Sequence, residues 1–235
     1  MDFESFPYLT PSEFAEACHH LDSRYCRATL GPLRKQWKLR LCTALDMSLA
    51  WEGGYSTYIQ IICPLRADTT GDELSLDLDK FSISPQNEDE NLLLGDQDMV
   101  DAEESDEAVF PRPKPSPTSG FVTYEIHLHP TYRVPCLWFS LHGLPFDEVA
   151  FNIDTVFRRL VPDEYKDGLR KLGGVGGISA DHHPITSVPS FFVHPCLLGD
   201  AMSGFQCSRE DYLMIWLGLV GGCVGLWAPK EMAMA

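Results

Sequence analysis

At 235 residues the chain is long enough for one domain with an insertion, or at most two. Hydrophobic residues make up 44% of it, enough to bury a core, and its formal net charge is −16. The charge is local: residues 66–110 carry 15 acids against 2 bases, a net of −13, so the rest is nearly neutral and lacks the basic surface that a nucleic-acid-binding protein needs.

Eight cysteines contain no Cys-x-x-Cys pair, and Asp2 and Glu4 stand where a signal peptide would carry positive charge. Reduced thiols in the cytosol or nucleus are the expectation. Thr10-Pro11-Ser12-Glu13 predicts a helix start: Thr10 caps, Pro11 suits the first turn, and Glu13 completes a capping box. Phe14, Ala17, Cys18 and Leu21 then fall on one face of that helix. Residues 37–49 alternate with period two around Trp37, Leu39 and Leu41 and predict a long strand with one buried face. Glu52-Gly53-Gly54 predicts the turn into a partner strand over residues 55–65, ended by Pro64.

Residues 66–119 predict an acidic, proline-rich insertion that stays disordered, having too little apolar surface to offset the entropy of ordering. Leu92-Leu93-Leu94 is its one apolar knot. Strand alternation resumes over residues 121–129, with Val122, Tyr124, Ile126 and Leu128 facing one way and His127 and His129 expected on an exposed face. Residues 134–141 are a more continuously apolar strand. The expected fold class is α/β (α+β), a four-stranded antiparallel sheet with flanking helices in a single domain over residues 1–235. Pro162-Asp163-Glu164 opens a short helix, and Val156 to Leu160 is expected to be packed surface. Gly173 to Gly177 and Asp181-His182-His183-Pro184 read as a mobile loop.

The apolar run Phe191-Phe192-Val193 then stops at His194-Pro195-Cys196. Pro195 restricts its own φ and disfavours helix at His194, so the run should end as a strand or loop tip that presents Cys196. Most cysteines are small buried residues. A thiol with a histidine two positions before it is a nucleophile candidate, although the motif alone is weak. Ser208-Arg209-Glu210-Asp211 predicts a second helix start. Residues 212–228 carry no charge, yet at 17 residues with four glycines and no basic flank at the start they suit a buried core helix better than a membrane span. Its glycines would let the sheet or the loop around Cys196 approach, and residues 228–235 are expected to fray.

The segment Pro189 to Cys196, preceded by Asp181-His182-His183-Pro184, resembles the autophagy-related E2-like conjugating enzymes, which carry His-Pro-Cys around their nucleophile. The resemblance extends over about residues 37–226 apart from the acidic middle. It implies an E2-like core, Cys196 as thioester nucleophile, and His194 and Pro195 as supporting loop residues. It further implies a cycle in which autophagy protein seven, an E1-like activating enzyme, hands over the ubiquitin-like autophagy protein twelve, which then passes to a lysine of autophagy protein five. Neither cofactor nor metal is expected. The implied location is cytoplasmic, with recruitment to autophagosome-forming membranes and without a transmembrane segment. A sister enzyme that conjugates a ubiquitin-like protein to phosphatidylethanolamine shares His-Pro-Cys and is the near alternative. A non-enzymatic acidic interaction module, a cysteine hydrolase, and a zinc site from His182, His183, Cys196 and Cys207 are the other readings. Ubiquitin E2 enzymes place an Asn after an upstream His-Pro to support the oxyanion; here His-Pro leads straight into Cys196, and backbone N–H groups are left for that role. Asp181, His182 and His183 are the loop residues best able to steer an incoming lysine.

Overall fold

Thr10 and Glu13 close the first helix by reciprocal capping: the Glu13 N–H donates to Thr10 Oγ1 at 3.2 Å and the Thr10 N–H donates to Glu13 Oε2 at 2.8 Å. The structure is a computed structural model, and it describes residues 3–45, 54–65, 120–172 and 177–234. Helix α1 (Pro11–Arg27) buries Phe14, Ala17, Cys18 and Leu21, the expected stripe. A short α2 (Leu33–Gln36) leads into β1 (Lys38–Leu45), which pairs antiparallel with β2 (Tyr55–Pro64). The turn expected between them lies outside the described residues except for Gly54. So do the acidic residues 66–119 with Leu92-Leu93-Leu94, and Gly173 to Gly176 of the glycine loop.

Strands β3 (Phe121–Leu128) and β4 (Pro135–His142) continue the meander, followed by α3 (Ile153–Arg159) and α4 (Asp163–Leu172). Val156 and Phe157 of α3 are buried, while Arg159 grips Glu148 through two nitrogens, the packed surface expected of that segment. The sheet then gains two strands beyond the four expected. The hairpin of β5 (Ile178–His182) and β6 (Pro189–Val193) docks on the free edge of β4, giving the antiparallel order β1-β2-β3-β4-β6-β5. The segment Asp181 to Pro184, expected as mobile loop, is therefore the end of a strand and the start of its turn. Its polar residues hid a strand because Ser179 and Asp181 point away from the core while Ile178 is buried on it.

One face of the sheet is the core. Leu39, Ile59, Ile61, Val122, Tyr124, Ile126, Leu137, Phe139, Phe191 and Val193 bury against α1 and against α6 (Tyr212–Val220). Helix α6 starts three residues later than the expected first turn. Asp211 is its cap position without a side-chain cap bond, and Ser208 Oγ instead accepts from the Asp211 N–H at 3.3 Å. It also ends early. A 3-10 turn (Gly221–Val224) and Gly225 at φ +71° fold the chain back, and the glycines serve that fold-back rather than approach by the sheet. A β-carbon on Gly221 would sit 2.2 Å from the Leu226 carbonyl oxygen, and one on Gly222 2.9 Å from the Trp227 ring. The tail does not fray: after α5 (Leu198–Ser203) and α6, a last turn α7 (Lys230–Ala233) buries Met232 completely. Among the described residues, no helix is long and apolar enough to cross a membrane.

Candidate active site

Strand β6 ends because Pro195 has no N–H to give the ladder, and the backbone turns at once into a 3-10 turn (Pro195–Leu197) that runs on into α5. His194 caps this turn in extended conformation, φ −65° and ψ 125°, and its Nδ1 accepts the Cys196 N–H at 3.2 Å. An acceptor Nδ1 assigns the proton to Nε2. The His194 N–H donates to Gly177 O at 2.9 Å, which ties the turn to the strand beside it. Pro195 is buried, His194 and Cys196 are half-buried, and Leu197 is exposed. The turn is therefore anchored from below while the Cys196 thiol, a free cysteine, reaches the surface.

Of the remaining cysteines, Cys26 is exposed on α1 and Cys18 and Cys136 are buried. Burial pushes Cys18 and Cys136 far above the ordinary thiol range, Cys63 up to about 12 and Cys223 up to about 11. Burial also raises Cys42 and Cys207, the latter with the Asp211 carboxylate adding to it.

The turn between β3 and β4 supplies two side chains that the sequence reading did not connect with His194. The Tyr132 ring meets His194 edge-on at 5.6 Å, and His129 lies 4.8 Å from Tyr132. His129 Nδ1 accepts from the N–H groups of Thr131 and Tyr132, and burial together with the nearby His194 lowers its pKa. Arg133 in left-handed conformation, φ 53°, reverses the chain, and its carbonyl accepts the Leu9 N–H at 2.7 Å. The signal for this turn was the His129-Pro130 break between two strong strands, but its position beside His194 depends on the pairing of β4 with β6.

Asp181 and His182 do not gather around Cys196. His182 pairs with Pro189, at the opposite end of β6 from His194, and both side chains are well exposed, 3.6 Å from each other. That separation also disperses the four-residue zinc set and takes the expected lysine-steering loop away from the thiol.

His183 turns under its own hairpin onto the outer face of the sheet. There Glu125 Oε2 accepts from His183 Nε2 at 2.8 Å and from His127 Nε2 at 3.0 Å, while Gln60 Nε2 donates to Oε1 at 2.9 Å. Burial alone would raise the Glu125 pKa, but these donors hold it well below the usual carboxylate range. His127 is buried, not exposed as its alternating position suggested, because Tyr58 stacks on it at 4.6 Å and the His183 turn closes over it. The three ligand-type atoms lie within 4.8 Å of one another. His183 Nδ1, however, accepts from the N–H groups of Ile185 and Thr186 at 3.3 Å, which puts its proton on Nε2. A metal-bound histidine offers a bare nitrogen to the ion and donates from the other, so this group is built as a hydrogen-bond network around a carboxylate.

Residues 13–231 match the family model described as "Autophagocytosis associated protein, active-site domain". Along its full length the chain is 65% identical to the ubiquitin-like-conjugating enzyme ATG10 of Gibberella zeae, with both chains covered completely. It is 30% identical over 126 residues to the ubiquitin-like-conjugating enzyme ATG10 of Homo sapiens, covering 50% of this chain and 55% of that one. With the ATG10 enzyme of Arabidopsis thaliana it shares 27% identity over 154 residues, 62% of this chain and 66% of the relative.

Proposed function

The chain belongs to the autophagocytosis-associated active-site family, as an E2-like ubiquitin-like-conjugating enzyme of the autophagy pathway, and from that premise we propose that Cys196 is its thioester nucleophile. The observation that carries this is the turn itself. Cys196 is a half-exposed free thiol held between a buried proline and a helix, with its own N–H fixed by His194 Nδ1. The Cys196 thiolate attacks the carbonyl carbon of a thioester carried by an E1-like enzyme. The tetrahedral adduct collapses, the E1 thiolate leaves, and the ubiquitin-like C-terminus is bonded to Cys196 Sγ. A lysine amine then attacks that carbonyl, loses a proton and forms an amide while Cys196 departs as thiolate. A thiolate is nucleophilic enough at neutral pH without a strongly depressed pKa. In this scheme His194 orders the turn rather than removing a proton, because its Nδ1 lone pair is occupied. The Cys196 N–H is likewise engaged, so the oxyanion takes its hydrogen bonds from other N–H groups.

The family resemblance names the participants. Autophagy protein seven is the E1-like donor, autophagy protein twelve the cargo, and a lysine of autophagy protein five the acceptor. The site of action is cytoplasmic, at autophagosome-forming membranes, with residues 66–119 as an insertion into one catalytic domain. The ATG10 relatives favour this over the lipid-conjugating sister enzyme.

The test uses the purified chain with activating enzyme, cargo and ATP, read on gels with and without reductant. A reductant-sensitive adduct is expected. It should vanish in Cys196→Ala and become a reductant-resistant oxyester in Cys196→Ser. An activating enzyme that is visibly charged yet leaves the wild-type chain bare would refute the assignment.

A further inference from the structure

The outer face of the sheet carries one continuous row of side chains in register: Gln60 of β2 opposes Glu125 of β3, Glu125 opposes Trp138 of β4, and Trp138 opposes Phe192 of β6. Each step is a contact. Gln60 donates to Glu125, and Glu125 holds His183, whose ring meets Trp138 edge-on at 5.5 Å. Trp138 packs on Phe192 at 4.7 Å, and the Phe192 ring lies 6.0 Å from His194. The neighbouring row runs the same way. Cys136, opposite His127, donates its S–H to Val193 O at 3.5 Å, one residue before His194.

Both rows end on the residues that launch the Cys196 turn; the largely buried Glu125 carboxylate lies in the first, and its partner His127 lies in the second, opposite Cys136. A buried charge is costly, and well-packed apolar groups in place of a buried ionic cluster often support a fold as well or better. What a fully satisfied polar network adds is a single geometry. Glu125 accepts two imidazole N–H groups, and His183 Nδ1 accepts two backbone N–H groups of the β5–β6 turn. The carboxylate therefore fixes at once the ring that Trp138 rests on and the hairpin that carries β6.

We propose that Glu125 is a positioning residue for acyl transfer at Cys196, acting through His183, Trp138 and Phe192 on the strand that presents His194 and Cys196. The inference rests on the thioester reading of Cys196. In a reaction that depends on the attack geometry of a lysine on a thioester, displacement of the turn by a fraction of an ångström costs rate without costing the fold.

The experiment uses the full chain, precharged with cargo, the activating enzyme then stopped by removing ATP, and thioester decay followed on adding free lysine. In Glu125→Gln and His183→Leu the fraction that charges should match wild type, while the first-order decay constant at saturating lysine falls about 10-fold with half-saturation unchanged. His183→Gln keeps a side-chain N–H donor for Glu125 and should stay within about 2-fold of wild type, the rescue that simple loosening would not give. Should Glu125 variants fold poorly, Phe192→Leu, farther along the row and apolar for apolar, should show the same loss of decay constant. Wild-type decay constants in Glu125→Gln and His183→Leu, or losses confined to the fraction charged, would overturn the proposal. A wild-type chain that takes no cargo would instead sink the Cys196 assignment beneath it.

Discussion

Glu125 and His127 set a pH dependence that reaches the whole fold. Burial pushes the His127 pKa below its ordinary value, against the pull of the Glu125 carboxylate, so the folded protein keeps this imidazole neutral. In the unfolded chain it titrates near about 6.5. Below that pH the unfolded state binds a proton that the native state refuses, so stability present above pH ~6.5 is lost as the pH falls. His129 and His142, lowered mainly by burial, act in the same sense. The melting temperature should drop between pH 7.5 and 5, and His127→Gln, which keeps a donor for Glu125, should flatten that slope. One histidine contributes at most about 1.4 kcal/mol per pH unit. An equal slope in wild type and His127→Gln, measured by calorimetry across that range, would show that His127 charges freely in the fold. Alternation placed His127 correctly on the second face of β3. It could not show that a turn 56 residues later folds over that face and buries it.

The elements differ in how far local pattern decides them. The start and the buried stripe of α1 were legible to the residue, because cap and stripe are local in sequence. The two hairpins of the meander were legible for the same reason, whereas β5 was not: five residues with one buried apolar side chain become a strand only by pairing with β6. Cys196 was legible as a presented thiol, since Pro195 stops the strand whatever lies around it. The approach of Tyr132 to His194, with His129 behind it, needed the sheet order. The apolar stretch after Asp211 makes the limit measurable. Gly218 lies exposed inside α6, and a β-carbon there meets nothing within 4 Å, so Gly218→Ala should stabilise by up to about 1 kcal/mol through helix propensity. Gly221→Ala drives a β-carbon into the Leu226 carbonyl at 2.2 Å and should cost about 3 kcal/mol. Urea melts of the two variants should move in opposite directions. A Gly221→Ala variant at least as stable as wild type would mean that the fold-back after Val220 is not what Gly221 serves.

At the scale of the molecule, the charge is concentrated in one stretch of sequence. Residues 68–107 carry 15 acids and one base, a net of −14 out of −16, and they interrupt the chain between two paired strands. Pro64 pairs with Phe121, and the Leu65 N–H donates to Gly120 O at 2.8 Å, so β2 and β3 are already joined where the described residues break off. Gly120 is needed at that junction, because a β-carbon there would sit 2.8 Å from His142 O. A hairpin connection needs only a few residues, and the closure entropy of a longer one grows slowly, by about 0.6 kcal/mol per doubling. Deleting residues 68–107 leaves ample chain to close the hairpin and shortens the connection about four-fold. We therefore expect the deletion variant to melt cooperatively and about 1 kcal/mol more stably than the full chain, with less self-repulsion at low salt. Thermal melts at two salt concentrations check both parts. A deletion variant without a cooperative transition would mean that the acidic segment holds the sheet together. Retained folding with slow charging of Cys196 by the activating enzyme would assign the segment to docking rather than to architecture.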